Sequence, residues 1–576
     1  MSATSDERAL ATRLAQLEAA ALARVLHARG VPASAPWRDC FDAAEALLEP
    51  SSIDRALTTL PRPLLRALAA ADVTPVHADA RGSLDARALL RDDDRPLAAV
   101  RDRLRAALAA DPGAIAPEPP SREPDPAGEG AAAAAAERAA SSVRALTDLL
   151  ARIGEQPLAV TGGGAVTAVD RRALIEAGIV ADGAELEDLI ALASPPGLLT
   201  LVRRAWQLTD IGETWLSQAT AERWAVVARG WREGLPAALR TAAGGYLPPA
   251  EWPGAVPLDP RWPDAVDMQR SRALRWGLIA AAGSEPAWAA PLRRGDDPDA
   301  AALAAMLPAE IDKIYLQADL TAIAPGPLRS PLDLRLRTMA LRESRAEAST
   351  YRFTSDTLAA AVAAGEDAAS IRAFLGDMSL TGIPQPLDYL IEQAEARHGL
   401  VHVGVDPAGR TRVTSTDPQL LRTIAVDHAL RAVGLTPEDE SLVSGVSRDA
   451  VFWTLADARY PVIAVDAAGR PEPLRRHPPR ERIVPADPAD ALMPLAEHLL
   501  AHSESDTGTA WLERELEQAV RTHSEVSVTV RMPDGTERSF TMEATGLGGG
   551  RLRGRDRAAD IERTVPVSSI VGVEPQ

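Results

Sequence analysis

The arginine pairs and runs in this sequence are the side chains best suited to chemistry with a ligand, because a guanidinium binds phosphate oxygens through several donors at once. Arg410 and Arg412 follow a turn, and Arg551, Arg553 and Arg555 alternate along a strand-like stretch. Alternation places the last three on one face of that strand. We expect all five to contact nucleic-acid phosphates. Acidic residues lie near each set, so a solvated loop or sheet edge stays open as the alternative.

Catalytic motifs are not visible in the sequence. A nucleotide-driven motor needs a glycine loop ending in Gly-Lys-Ser/Thr, whereas Lys313 is the one lysine and lies in Glu-Ile-Asp-Lys-Ile-Tyr. The glycine triplets at 162–164 and 548–550 have no lysine behind them and predict turns. His398 and His402 are four apart, but Gly399 interrupts the helix between them. We therefore predict no enzymatic activity, no cofactor and no metal.

Composition limits the remaining classes of function. The 576 residues predict several domains. The one cysteine, Cys40, excludes an intramolecular disulfide and a cysteine zinc site. There is no long apolar run and no signal-like N-terminus, so we expect a cytoplasmic protein without a membrane contact. The net charge of −19 opposes DNA binding unless arginines converge locally.

Patterning along the chain predicts seven segments and an α+β, multidomain, mostly α-helical fold. It has winged-helix units, a small α/β unit and a C-terminal small antiparallel β-barrel. The segments are an α-helical N-terminal domain at 1–110, a flexible linker at 111–142, a winged-helix-like and Trp-rich helical domain at 143–312, a winged-helix domain at 313–415, a small α/β unit at 416–469, a linker at 470–505 and the barrel at 506–576.

Two further patterns concern what these segments could bind. Eight of the eleven tryptophans lie between Trp206 and Trp288, and their irregular spacing favours core packing over a stacking platform for bases. In the segment at 313–415, the third helix begins near Pro386 and exposes Asp388, Glu392 and Glu395. That acidity is unfavourable for a recognition helix, so either the following hairpin with its arginines makes the nucleic-acid contact or the fold serves protein contacts.

Several short strings between 314 and 390 resemble the helicase-associated domain in front of the motor of XPB-type DNA helicases. They are the run at 314–323, the prolines Pro325 and Pro327, Tyr351-Arg-Phe-Thr354, and Ile383-Pro-Gln-Pro-Leu-Asp-Tyr-Leu390. The resemblance implies a helicase-associated domain with a winged-helix outline. Because the P-loop is missing, it implies a member of this group that lacks the helicase motor.

The last segment is similar to WYL domains, the small barrels of bacterial transcription regulators that bind nucleic-acid or nucleotide ligands. The strand, Asp-Gly turn, glycine-led strand and closing Val565-Pro-Val-Ser-Ser-Ile-Val-Gly carry the likeness. The signature tripeptide is replaced by Gly550-Arg551-Leu552.

Together the resemblances imply a non-catalytic protein of DNA repair or its regulation that binds DNA or a helicase partner. A protein-interaction scaffold without nucleic acid and a ligand-sensing transcriptional regulator are the alternatives.

Overall fold

The computed structural model describes residues 3–117, 122–344, 348–397, 400–470, 472, 474–483, 487–503, 512, 516–517, 519–521, 523–532, 535–556 and 561–575. The chain forms two compact units. One contains residues 1–120, 253–263 and 485–576, and the other contains residues 121–252 and 264–484. About half of the residues are helical and the sheets are mainly antiparallel, so the expected mixed, multidomain α+β class is confirmed at that level.

The first unit begins with a bundle of short helices. Leu10 and Leu14 of the first helix are buried, and Asp39 caps the third helix by accepting from two backbone N–H groups. The helices are α1 (Ala3–Ala15), α2 (Ala19–Ala28), α3 (Cys40–Leu48), α4 (Pro50–Thr58), α5 (Arg62–Ala70), α6 (Ala78–Asp85) and α7 (Ala98–Ala110).

The second unit begins with a 27-residue helix that contains the six-alanine run. Alanine is the strongest helix former, and four alanines between positions 135 and 140 are buried. The end of the predicted linker at 111–142 is therefore part of a buried helix. The elements that follow are α8 (Glu129–Glu155), β1 (Leu158–Ala159), α9 (Ala168–Glu176), α10 (Gly183–Ala193), β2 (Leu199–Val202), β3 (Ala205–Leu208), α11 (Asp210–Leu216), α12 (Thr220–Glu233), α13 (Trp262–Arg275), α14 (Ala290–Arg294) and α15 (Ala300–Ala304).

The first sheet of this unit has the antiparallel order β1-β3-β2. Core packing of the tryptophans is confirmed for most of the cluster, since Trp215, Trp224, Trp276 and Trp288 are at most 2 % exposed. Trp224 and Trp276 each donate an indole N–H to the other's backbone carbonyl, at 2.7 and 3.0 Å. These bonds satisfy the two polar atoms that burial would otherwise leave unpaired.

The next elements build a four-stranded antiparallel sheet, order β4-β5-β7-β6, covered by helices. The predicted apolar stripe Ile371, Phe374, Leu375 and Met378 is buried, and Asp367 caps its helix as expected. The elements are β4 (Tyr315–Leu316), β5 (Thr321–Ala324), α16 (Ser330–Met339), β6 (Leu341–Arg342), β7 (Ser349–Arg352), α17 (Ser355–Ala363), α18 (Ala368–Met378) and α19 (Gln385–Arg397). Gly399, the predicted end of α19, lies outside the described residues.

The predicted hairpin at 400–414 forms, but its outer edges are not free. It lies at the centre of a five-stranded sheet, order β10-β11-β9-β8-β12, in which β12 runs parallel to β8. Both sides of the hairpin therefore face partner strands from the segment predicted as a separate α/β unit at 416–469. The elements are β8 (Val401–Val405), β9 (Thr411–Ser415), α20 (Pro418–Val426), β10 (Thr436–Glu438), β11 (Ser441–Ser444), α21 (Arg448–Asp457) and β12 (Val462–Ala464).

Both ends of the predicted linker at 470–505 contact ordered elements. Arg480 exchanges backbone hydrogen bonds with Leu208 and Asp210 in the second unit, at 2.9 and 3.0 Å. The other end forms a helix, α22 (Met493–Ser503), in the first unit. Leu495 and Leu499 of α22 belong to the same buried core as α1 to α7.

The first unit ends in an antiparallel sheet of β13 (Glu525–Arg531), β14 (Glu537–Gly548), β15 (Arg551–Asp556), β16 (Ile561–Pro566) and β17 (Ile570–Pro575). Its order is β16-β15-β14-β13-β17, so the described strands form an open sheet with two edges and not the closed barrel that we expected. No helix in the described ranges combines the length and apolar character needed to cross a bilayer.

The packing of α22 on the N-terminal helices is testable by a cavity mutation. Leu499→Ala removes a fully buried side chain and should lower the stability of the α1–α7 bundle by about 2–5 kcal/mol. Hydrogen–deuterium exchange should then show faster opening of α2 and α3 amides. The exposed neighbour Glu497→Ala is the matched control. Unchanged exchange in α2 and α3 would contradict the packing.

Candidate nucleic-acid interface

Arg410 and Arg412, here called the turn arginines, are held by carboxylates. Arg410 donates to both oxygens of Glu438, at 2.7 and 2.8 Å, and through Nε to Asp406 at 3.0 Å. Arg412 donates to Glu438 at 3.1 Å and to Ser441 at 2.8 Å. Two guanidinium groups and two carboxylates thus form one neutral cluster. A phosphate would have to displace Glu438 to reach either arginine.

Asp406 organises the turn that carries this cluster. Its side chain is 2 % exposed and accepts from the backbone N–H groups of Ala408 and Arg410 at 2.9 and 2.8 Å. The Arg410 backbone N–H and then its guanidinium hold the pKa of Asp406 below its usual range. The Arg410 guanidinium likewise lowers the pKa of Glu438. Both carboxylates are therefore charged wherever the protein is folded near neutral pH.

The same turn occurs a second time in the sequence. Asp406-Pro-Ala-Gly-Arg410 follows β8 and Asp466-Ala-Ala-Gly-Arg470 follows β12. Asp466 accepts from Ala468 and Arg470 backbone N–H groups at 2.9 Å, as its counterpart does. Because β8 and β12 are parallel neighbours, both turns lie at the same end of the sheet. Arg470 pairs with Asp466 at 2.8 Å, so this turn is also internally neutralised.

Arg551, Arg553 and Arg555, here called the strand arginines, lie on one exposed face of β15, whereas Leu552 and Gly554 are buried. The predicted alternation is confirmed. Their neighbours across the sheet differ, since Arg555 lies directly between Glu543 and Glu562. The residues opposite Arg551 and Arg553 carry no charge: they are Gly548, Gly546, Pro566 and Thr564. Within the described part of the sheet, the positive charge is thus uncompensated at Arg551 and Arg553.

A third set, Arg203 and Arg204, was missed by the sequence reasoning. These hairpin arginines form the two-residue turn between β2 and β3, where Val202 pairs with Ala205. Both are exposed, and neither has an ion pair or side-chain hydrogen bond with any described residue. The Arg-Arg pair between the two short apolar strands was the available signal. It is not a usual turn sequence, so the turn type was unreadable.

The backbone of the hairpin arginines is strained. Their φ angles are +47° and +63°, the left-handed region that a type I′ turn requires at both central positions. Asn-Gly fits that turn, whereas a side chain such as arginine costs about 1–2 kcal/mol there. Arg204 extends toward the glycine loop at 162–164, since a Cβ at Gly162 would lie 3.5 Å from Arg204 Nη2. Strain that persists at an exposed polar turn is typical of functional positions.

The acidic face of α10, the helix that precedes this hairpin, is covered by α13. Glu185 and Asp188 of α10 bind Arg275 and Arg272 of α13, each at 3.0 Å. Its acidic face is therefore satisfied within the unit. The corresponding helix α19 keeps Glu392 and Glu395 exposed, as expected. Neither α10 nor α19 offers a basic face, so we do not assign a phosphate contact to either helix.

Other candidate residues contribute less to an interface. In the Pro- and Arg-rich stretch, Arg475 pairs with Glu213 and Arg476 with Asp457, while Arg480 donates to Gln207 at 2.7 Å. His398 lies outside the described residues. Within the described ranges, no cluster of three or more His, Cys, Asp or Glu side chains is suited to a metal ion.

The middle of the second unit is similar to a known protein family. Residues 314–439 match a family model described as a helicase conserved C-terminal domain. This segment is similar to a helicase domain. The match begins at β4 and extends through β8, β9 and β10, so it includes the turn arginines together with Glu438. No curated protein matched the chain. The findings support a helicase-associated domain and a helicase-related role.

The carboxylate at the centre of the turn cluster predicts a pH dependence. The pKa of Asp406 is lower in the folded protein than in the unfolded chain. Its carboxylate therefore stabilises the folded turn at pH values above the unfolded pKa of about 3.9. This stabilisation is lost as the pH falls through the lower pKa of the folded state. Asp406→Asn should destabilise β8 and β9 at pH 7. The opening free energy of these strands, measured by hydrogen exchange, should also depend less on pH in the acid range. Asp466→Asn, in the more exposed copy of the turn, is the control and should have a smaller effect.

The strain at the hairpin predicts a stabilising substitution. Replacing Arg203→Asn and Arg204→Gly supplies residues that suit a type I′ turn and should raise the opening free energy of β2 and β3 by about 1 kcal/mol. Native-state hydrogen exchange of the hairpin amides measures this. Arg203→Gln with Arg204→Gln keeps the strain and should stay within about 0.5 kcal/mol of the parent. A destabilised Asn-Gly hairpin would contradict this account.

Proposed function

We propose that this chain is a non-catalytic, helicase-associated protein that binds DNA phosphates through the hairpin arginines and the strand arginines, and acts in DNA repair or its regulation. The observation that carries the proposal is the hairpin turn, where two exposed arginines occupy strained backbone and have no carboxylate partner among the described residues. The helicase-domain match at 314–439 supplies the context. The proposal includes an XPB-type relationship without a motor and a WYL-like relationship for the last sheet.

Element order supports a winged-helix origin for residues 129–208. The order helix, strand, helix, helix, strand, strand, with a three-stranded antiparallel sheet, is that of a winged helix, and β2 and β3 then correspond to its wing. The contact would be made by the wing, because α10 is covered by α13 through its acidic side chains.

The three arginine sets are expected to differ in strength. The hairpin arginines and Arg551 with Arg553 have no ion-pair partner among the described residues, so a phosphate would bind them without displacing a described carboxylate. Arg555 lies between two glutamates on the neighbouring strands and contributes less to phosphate binding. The turn arginines remain phosphate contacts in this proposal, but binding there costs the bidentate bond of Arg410 to Glu438.

Fluorescence anisotropy with labelled duplex, forked and single-stranded DNA tests the proposal. Binding should weaken with salt, and Arg203→Gln with Arg204→Gln should weaken it for all sequences and reduce the log–log salt slope by about 2. Arg24→Gln with Arg66→Gln removes the same charge from exposed positions on α2 and α5 and serves as the control. Equal slopes for the two double variants would remove the hairpin from the interface.

A scaffold without nucleic-acid binding is the second candidate. It is favoured by the exposed carboxylates of α19 and by the net charge of −19. In that case no DNA form would bind even at low salt, and replacing Glu392 and Glu395 by glutamine would weaken capture of a helicase partner instead. The anisotropy experiment separates the two candidates directly.

A further inference from the structure

A cavity of ≈ 260 Å³ lies inside the second unit, and the proposed DNA contact does not use it. It is bounded by α8, the first turn of α12, the segment 304–310 and the start of α16. Its lining includes both charged and apolar side chains.

Arg223 is the cation in this lining that forms no ion pair with a described residue. It is 6 % exposed, and no described carboxylate lies within ion-pair distance. Its guanidinium donates to two hydroxyls, Thr147 at 2.6 Å and Thr220 at 3.2 Å, and lies over the Trp215 ring. Nε has no partner among the described residues. Burial lowers the pKa of Arg223 to about 10. A buried cation in this state is unfavourable unless an anion joins it.

Glu310, Asp333 and Asp148 attract the Arg223 charge from a distance, but each carboxylate in the lining has other partners. Asp148 binds Arg337 and Arg342, and Glu310 accepts from the Thr220 N–H and hydroxyl at 2.9 and 2.7 Å. The other two pairs are Glu137 with Arg144 and Asp333 with the Tyr351 hydroxyl. Ser330, 3 % exposed, also retains a hydroxyl without a partner in the described part of the chain. Within the described residues, the lining thus has one cation without an ion pair and one hydroxyl without a hydrogen bond.

The rest of the lining is apolar. Leu307, Pro308, Leu328 and several alanines face the cavity. A ligand that fits must therefore be small, carry one negative charge for Arg223 and present an apolar body to these side chains. A phosphate or a dianion is a poorer match, because four carboxylates also line the site.

We propose that this cavity is a binding site for a small organic monocarboxylate, with its carboxylate on Arg223 and its apolar body against Leu307, Pro308 and Leu328. Ser330 lies in the same lining and can donate to the ligand. Binding would order the start of α12 against the helicase-associated segment, because the cavity is lined by both.

Benzoate and its neutral, nearly isosteric amide, benzamide, are the probes. Isothermal titration calorimetry of the full chain should give a benzoate Kd below about 1 mM and at least about 10-fold weaker benzamide binding. Arg223→Gln should reduce benzoate binding to the benzamide level. Arg229→Gln, on the same helix but outside the lining, should leave it unchanged.

A second variant tests the proposal even if Arg223→Gln does not fold. Ala304→Phe fills the cavity from an exposed position while keeping Arg223, and it should abolish benzoate binding without changing the melting temperature. No benzoate binding up to about 1 mM, equal binding of benzoate and benzamide, or unchanged binding in Ala304→Phe would each overturn the proposal. DNA binding is measured separately, so the two proposals fail independently.

Discussion

The second unit depends on one buried carboxylate, Asp148. It lies in the middle of α8 with its side chain 4 % exposed, and it binds Arg337 of α16 at 2.8 Å and Arg342 of β6 at 3.3 Å. A charge in that position is tolerated only with partners, and removing one partner of such a group usually costs 3–5 kcal/mol by the general rule for buried pairs. The pairs fix the long helix against the helicase-associated segment, and the cavity around Arg223 exists between the elements that they join.

The same rule of charge matching explains the surface. Many of the surface arginines have a carboxylate neighbour in the folded chain, as Arg410, Arg470 and Arg476 do. The acidic excess therefore coexists with a few arginines that are unmatched within the described residues. Arg203, Arg204, Arg551 and Arg553 are distinguished by their surroundings, since neither turn nor strand places an acidic side chain beside them. Position in the fold, and not the number of basic residues, decides which of them can meet a phosphate.

Local patterns in the sequence predicted local structure well. The 3–4 spacing of Ile371, Phe374 and Leu375 and the alternation along β15 were sufficient for the helix stripe and the exposed arginine face. Pairing between distant segments was not readable. The hairpin of β8 and β9 was expected as an isolated pair because its partner β12 lies beyond α20 and α21 in the chain. Arg203 and Arg204 were overlooked because their turn conformation contradicts their intrinsic preference, and Glu438 gave no sign that it would neutralise Arg410.

The position of α22 has a consequence for synthesis of the chain. Leu499 belongs to the core formed by Leu22 and Leu47, and the Cys40 thiol contacts the Leu499 carbonyl across 459 positions of sequence. At translation rates of about 5–20 residues per second, the first helices are synthesised roughly 20–90 s before α22. During that interval the nascent bundle presents an open apolar groove. The apolar side chains that α22 covers are therefore completed as a core only after Leu499 has been synthesised.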